Sequence, residues 1–178
     1  MDGELLRVSD IMLFNASEKG TKRFFDVYDV ILTRHGTIDG IILSGRGVLA
    51  IKRYADSKSI SSIREGSVVV NATKRFTPKF INDKAVPLER IMGKRVITED
   101  NEFLGNLSDI YINTETLKVM AVEVASSFFE DLFTGRLIIP GSIIECTGDV
   151  LISKLQIEHS MHNAKGIINV IDETIRGE

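Results

Sequence analysis

The chain states one pattern twice. Val27-Tyr28-Asp29-Val30-Ile31-Leu32 returns 80 positions later as Leu107-Ser108-Asp109-Ile110-Tyr111-Ile112. Ile38-Asp39-Gly40-Ile41-Ile42-Leu43 returns as Val119-Met120-Ala121-Val122-Glu123-Val124, 81 positions on. Ser59-Ile60 returns as Ser142-Ile143, and Gly66-Ser67-Val68-Val69-Val70 as Gly148-Asp149-Val150-Leu151-Ile152, 83 and 82 positions on. A period this long, kept with few insertions, predicts two copies of one small β domain. It fixes an architecture before it says anything about chemistry.

Each copy is short, so each core is modest. With 43% hydrophobic and 26% charged residues the composition is that of an ordinary globular protein. There is no Trp and aromatics are sparse, which offers no base-stacking platform. The net charge of −3 argues against a general polyanion binder. The halves differ, however: residues 1–87 carry 14 Lys/Arg and 10 Asp/Glu, whereas residues 88–178 carry 8 and 15. That asymmetry suits orientation on a partner, although compositional drift also produces it. Cys146 is the single cysteine, so neither an internal disulfide nor a cysteine metal site is expected. Its apolar surroundings, Ile143-Ile144-Glu145-Cys146, suit a buried thiol rather than a reactive one. Met1-Asp2-Gly3-Glu4 lacks a basic leader region, and no apolar run approaches the ~20 residues of a membrane helix. The expected location is the cytoplasm, without membrane insertion.

Strand signals follow the repeat. Phe24–Leu32 and Thr37–Leu43 flank the short turn Arg34-His35-Gly36, the mark of a hairpin. A third strand is expected over Val48–Tyr54 and a closing one over Ser67–Asn71, with Ser57–Ile63 a polar stretch between them. In the second copy Arg95–Thr98, Phe103–Ile112, Lys118–Ala125, Arg136–Pro140 and Val150–Ser153 read as strands. Many short strands with polar turns predict an all-β protein of two tandem small antiparallel barrels. The expected divisions are a first domain at 1–72, a connector at 73–87, a second domain at 88–154 and a tail at 155–178. The connector holds Lys74, Arg75, Lys79 and Lys84 with Pro78 and Pro87; its apolar Phe80-Ile81 suggests that part of it packs or pairs. In the tail Ile157, Met161, Ala164, Ile168, Ile171 and Ile175 fall on one stripe of a short C-terminal amphipathic helix. Packing on its own barrel and contact with a partner are both open to it.

The second copy resembles the PRC-barrel family. The residues that carry this are Gly93-Lys94-Arg95-Val96, Leu104-Gly105-Asn106-Leu107-Ser108-Asp109-Ile110, Val119-Met120-Ala121-Val122-Glu123-Val124, Ile139-Pro140 and Gly148-Asp149-Val150-Leu151-Ile152. The first copy is more divergent, with Phe25 in place of Gly105 and no counterpart of Pro140. The whole resembles tandem PRC-barrel proteins of bacteria. That family supplies a domain to the photosynthetic reaction-centre H subunit and to a ribosome-maturation factor, and relatives are linked to sporulation and to archaeal cell division. The resemblance implies an assembly or docking module and brings no catalytic residues.

Candidate chemistry is thin. Asp29 and Asp109 are matched; they are either paired carboxylates across a cleft or separate acceptors of backbone or arginine hydrogen bonds, and duplication alone accounts for the match. Arg53 and Arg136 look matched as well, so Asp29–Arg53 and Asp109–Arg136 are the candidate structural pairs, one in each copy. His159 and His162, three apart, lack a third metal ligand, and His35 sits in a turn. Glu99-Asp100-Asn101-Glu102 lacks the order of a calcium loop, and Ser44-Gly45-Arg46-Gly47 matches no phosphate loop. No nucleophile stands beside an evident base, so no catalytic residue, metal or cofactor is expected. The best interaction candidate is the loop 126–135, with Phe128, Phe129, Leu132 and Phe133 beside Glu130 and Asp131; the alternative is a cap on the barrel end. The leading reading is a non-enzymatic adaptor for an unidentified protein partner. An RNA- or ribosome-associated accessory protein, using the four connector cations, comes second, and an enzyme of unknown reaction third. Homo-oligomerisation through strand edges or the tail is also open.

Overall fold

The computed structural model describes residues 3–46, 50–64, 66–80, 85–125, 137–140, 144–147 and 150–153. The predicted helical tail, the loop 126–135 and Arg136 lie outside the described residues. The chain divides into two units, Met1–Arg90 with Ile112–Val119, and Ile91–Tyr111 with Met120–Glu178.

The first unit opens with β1 (Leu5–Arg7) and the single helical turn α1 (Val8–Ile11). It continues through β2 (Asn15–Glu18), β3 (Phe24–Thr33), β4 (Ile38–Gly45), β5 (Lys52–Asp56), β6 (Ile60–Arg64) and β7 (Ser67–Val70). These pair in the order β6-β7-β2-β3-β4-β5. The second unit has β10 (Arg95–Thr98), β11 (Phe103–Asn113), β12 (Val119–Ala125), β13 (Leu137–Pro140), β14 (Ile144–Thr147) and β15 (Val150–Ser153), in the order β14-β15-β10-β11-β12-β13. Strand for strand, the two orders are the same.

The expectation of purely antiparallel sheets is corrected. β2 runs parallel to β7, with Ala16 opposite Val68, and β10 runs parallel to β15, with Val96 opposite Leu151. A parallel partner needs a long crossover, and each unit supplies one: β3 to β6 lie between β2 and β7, and β11 to β14 between β10 and β15. The two ends of each ladder are then joined by very little chain. β5 ends at Asp56 and β6 begins at Ile60; β13 ends at Pro140 and β14 begins at Ile144. Four residue steps span at most about 14 Å, whereas a flat ladder of this order would hold the end strands about 24 Å apart. Each sheet therefore curls. Among the described residues no ladder joins β5 to β6 or β13 to β14, so neither curled sheet closes into a hydrogen-bonded barrel.

Alternation on β3 places Phe25 and Val27 inside, across from Ala16 and Leu43, with Val30, Ile41, Ala55, Ile63, Val68 and Val70 completing the interior. Burying each large apolar side chain contributes about 1.5–3 kcal/mol. The connector is not a free linker. Lys74–Arg75 forms β8 on β5, and Ala85–Pro87 forms β9 on β3. On the outer face of the sheet Ile31, Ile42 and Tyr54 pack with Ala85, and Phe76 lies against them. Both faces of this end of the sheet are thus covered, which is why Asp29 through Leu32 are buried without a break.

In β11 Gly105 has φ +140°, and a Cβ there would strike the carbonyl oxygen of Ala125 and the side chain of Val124. A register shift lies beside it, between Val96 and Ile97 of β10. Gly105→Ala is expected to destabilise the second unit by about 1–3 kcal/mol from backbone strain alone, read as a lowered urea midpoint. Phe25→Ala at the matching place in the first unit also destabilises, but through a lost aromatic in the interior, and its deficit is recovered by Phe25→Leu.

Candidate interaction surface

At one end of the first sheet the outer face is open. Phe24, Asp26 and Tyr28 alternate outward on β3 while Phe25 and Val27 alternate inward. Pairing puts Asn15, Asp26, Ser44 and Lys52 in one row across four strands. Arg46 crosses that row, its Nη2 donating to Asp26 Oδ1 at 2.8 Å and to Asn15 Oδ1. Lys52 Nζ stands 3.4 Å from the Tyr28 ring centroid. Tyr28 is the unpaired residue of a bulge between Val27 and Asp29, and a bulge re-aims a side chain. Phe24 is 61% exposed; on the segments leading into β2 and β5, Leu13 is 83% and Ile51 55% exposed. An exposed ion pair contributes little to stability, and an exposed cation–π contact about 0.5–1 kcal/mol. Fold stability therefore does not account for these exposed apolar groups or for the charges fixed beside Phe24 and Tyr28.

The second unit repeats one element of it. Phe103, 50% exposed, opens β11 as Phe24 opens β3, and the Arg95 guanidinium lies 5.1 Å from its ring centroid. Phe24 pairs across to Ser17 and Phe103 to Ile97, the same place in the two ladders.

The matched aspartates are structural. Asp29 Oδ1 accepts the Val30 N–H at 2.8 Å, and Asp109 Oδ1 accepts the Ile110 N–H at 2.8 Å; both carboxylates are buried. In the first unit the bulge at Tyr28 interrupts the ladder where this acceptor is needed, and Asp29 also takes the Glu89 N–H at 3.4 Å. Burial pushes its pKa up, against the opposing backbone donors. The expected partner Arg53 is elsewhere: its Nε donates to Thr73 Oγ1 at 2.5 Å and its Nη2 to Thr73 O at 2.9 Å. It alternates away from the Tyr54 side of β5, and therefore away from Asp29. The register also separates the two arginines, since Leu43 opposes Arg53 and Val124 opposes Leu137. Arg53 thus corresponds to Leu137, one residue from Arg136, and a one-residue slip exchanges faces. The Asp109–Arg136 pair involves a residue outside the described set.

Sequence reasoning passed over two further carboxylates. Glu18, buried at the end of β2, accepts Thr73 N at 2.8 Å on Oε1 and Arg23 Nη1 at 3.2 Å on Oε2. Burial raises its pKa, but the Thr73 and Arg23 donors outweigh that and leave it below the ordinary value. In the second unit buried Glu123 accepts Tyr111 Oη at 2.8 Å and Ser108 Oγ at 3.2 Å. It occupies the place that Ile42 holds in the first unit, opposite Ile138 as Ile42 is opposite Tyr54. The buried polar character was hidden in an apolar run, Ala121-Val122-Glu123-Val124.

Among the other expected sites, Lys74 lies 3.9 Å from Asp56 and 5.2 Å from the Tyr54 ring, and Arg75 and Lys79 are exposed. His35 is exposed in its turn, as is the acidic turn at 99–102. Phe128, Phe129, Leu132, Phe133, Lys84, His159 and His162 lie outside the described residues. Among the described residues no three His, Cys, Asp or Glu side chains form a metal cluster. Among them, too, no helix is long and apolar enough to cross a membrane.

In each unit a small curled sheet brings two strands far apart in sequence side by side in parallel. Residues 83–154 match the family model of the PRC-barrel domain. No curated protein matches the chain.

Asp29 and Glu18 predict opposite pH behaviour. Asp29 has a folded-state pKa above its ordinary 3.8, so its stabilising contribution is full below that value and lost as pH rises through the raised one. Glu18 has a folded-state pKa below 4.5, so its contribution is full above 4.5 and lost as pH falls through the lowered one. In urea melts Asp29→Asn, which keeps an acceptor, gains on the wild-type chain as pH rises from about 3.5 to about 7. Glu18→Gln is less stable near neutrality, and its deficit shrinks on acidification. Asp109→Ala, which strips the buried Ile110 N–H of its acceptor, costs about 1–3 kcal/mol; Asp109→Asn recovers most of that.

Proposed function

We propose that this chain is a non-enzymatic docking protein, working in the cytoplasm, whose first unit is a second and divergent PRC barrel in tandem with the first-recognised one at 83–154. The surface around Phe24, Asp26 and Tyr28 binds a protein partner. The observation that carries this reading is the exposure of Leu13, Phe24 and Ile51 near a row of charges already fixed by Arg46 and Lys52. Anchors of this kind hold interfaces when large apolar groups are surrounded by polar ones that exclude water. The shared strand order and the shared three-residue link between ladder ends support the duplication.

RNA association is the second reading. It is favoured by the β5–β8 pairing, which sets Arg75 opposite Arg53 and leaves Lys74 and Arg75 exposed at that edge, with Lys79 exposed four residues on.

Affinity purification from the native host with the wild-type chain and with Phe24→Asp separates the two. Docking predicts a defined protein that survives nuclease and is weakened about 30-fold or more by the substitution, the scale of a hot-spot residue. Recovery of RNA alone, lost as salt rises and lost when Lys74, Arg75, Lys79 and Lys84 are neutralised, favours the second reading instead.

A further inference from the structure

The two edges of the first sheet are treated differently. β5 is covered by β8, which is only two residues long, carries Lys74 and Arg75, and is followed by Pro78. Short, charged and proline-bounded segments are how sheets blunt an edge. Among the described residues β6, at the other end, pairs with β7 alone; it contains no proline and carries one charge, Arg64, at its last position. The whole of β6, Ile60 through Arg64, lines a groove of about 700 Å³. The opposite wall is built by Gly3, Glu4, Thr114, Glu115 and Leu117 of the same unit, with the Thr114 N–H held by the Glu4 carbonyl at 2.9 Å.

A strand of five residues is about 17 Å long and occupies a slot about 4.8 Å by 10 Å, or roughly 800 Å³. The groove has about that size and runs along β6, the edge strand of the ladder. We infer that β6 binds an extended, proline-free segment of a partner protein as an added strand. Glu4 and Glu115 on the far wall select a segment carrying lysine or arginine. The main chain supplies the affinity and the side-chain pockets supply the choice, as in other strand-addition complexes. This rests on the docking reading only in taking a protein as the partner; it places the contact on a different surface from Phe24.

Ser61 makes the inference testable. It is the unpaired residue of the irregularity between Ile60 and Ser62, a place in a sheet edge where proline is tolerated and where it removes a backbone donor. Nine-residue peptides selected from a random display library on the full chain are resynthesised as probes. The expected result is basic, extended peptides that slow hydrogen exchange at the amides of 60–64 and bind Ser61→Pro at least tenfold more weakly. Should Ser61→Pro not fold, Glu4→Lys with Glu115→Lys gives the same loss for the basic peptides. Peptides that protect β3 and are lost with Phe24→Asp overturn edge binding while leaving docking intact. Failure to select any peptide, or protection of 60–64 by self-association without peptide, overturns the inference outright.

Discussion

Three residues connect the two ends of each strand ladder, and the rest of the molecule follows from that. A chain that leaves β5 at Asp56 and enters β6 at Ile60 cannot reach across a flat sheet. The sheet must curl until its ends approach, and the curl gives each unit an inside. In the first unit the link is a single tight turn, with Asp56 Oδ1 accepting both the N–H and the hydroxyl of Ser59 at 2.9 and 2.7 Å. β7 then returns beside β6 and meets β2 in parallel. That parallel contact joins residues about 50 positions apart, so it forms late in any local assembly of hairpins and depends on all of them.

Curling also divides the surface. One end of the first sheet is covered on both faces, inside by its own core and outside by the connector, and there the buried Asp29 supplies the acceptor that the bulge requires. The other end keeps its outer face open. Tyr28 sits at the boundary: the residue before it points into the core, the residue after it is buried under the connector, and the bulge leaves its own ring outside with Lys52. A rigid, doubly covered sheet end thus holds an exposed row of side chains in place.

Much of this was legible in the residues. The repeated hydrophobic runs located β3, β4, β11 and β12, and the matched aspartates marked a place whose chemistry is the same in both units. β10 was legible because Val96, Ile97 and Thr98 are branched. Its counterpart β2 was not: Asn15-Ala16-Ser17-Glu18 contains no branched or aromatic residue and becomes a strand because β3 and β7 hold it on either side. The connector read as partly packed from Phe80-Ile81; its pairing at Lys74–Arg75 and Ala85–Pro87 was hidden by Pro78 and Pro87, although proline is tolerated at sheet edges, where β9 lies. Register was the least legible quantity. Sequence matching set Val68 against Val150 and Arg53 against Arg136; pairing with common neighbours sets Val68 against Leu151 and Arg53 against Leu137. One-residue slips of this kind cost nothing in a list of similar residues and reverse the face of every side chain. Within the first unit Arg53 misses Asp29 for a separate reason: it lies across from Leu43 and Val27, on the face opposite Asp29 and Tyr54.

The parallel contacts are the most direct point of test. Native-state hydrogen exchange on the full chain should place the backbone amides of Ala16 and Val68, and of Val96 and Leu151, among the slowest in their units, opening only when the unit unfolds as a whole. Exchange there as fast as at the ends of β8, or opening of β2 from β7 well below global unfolding, would contradict the account.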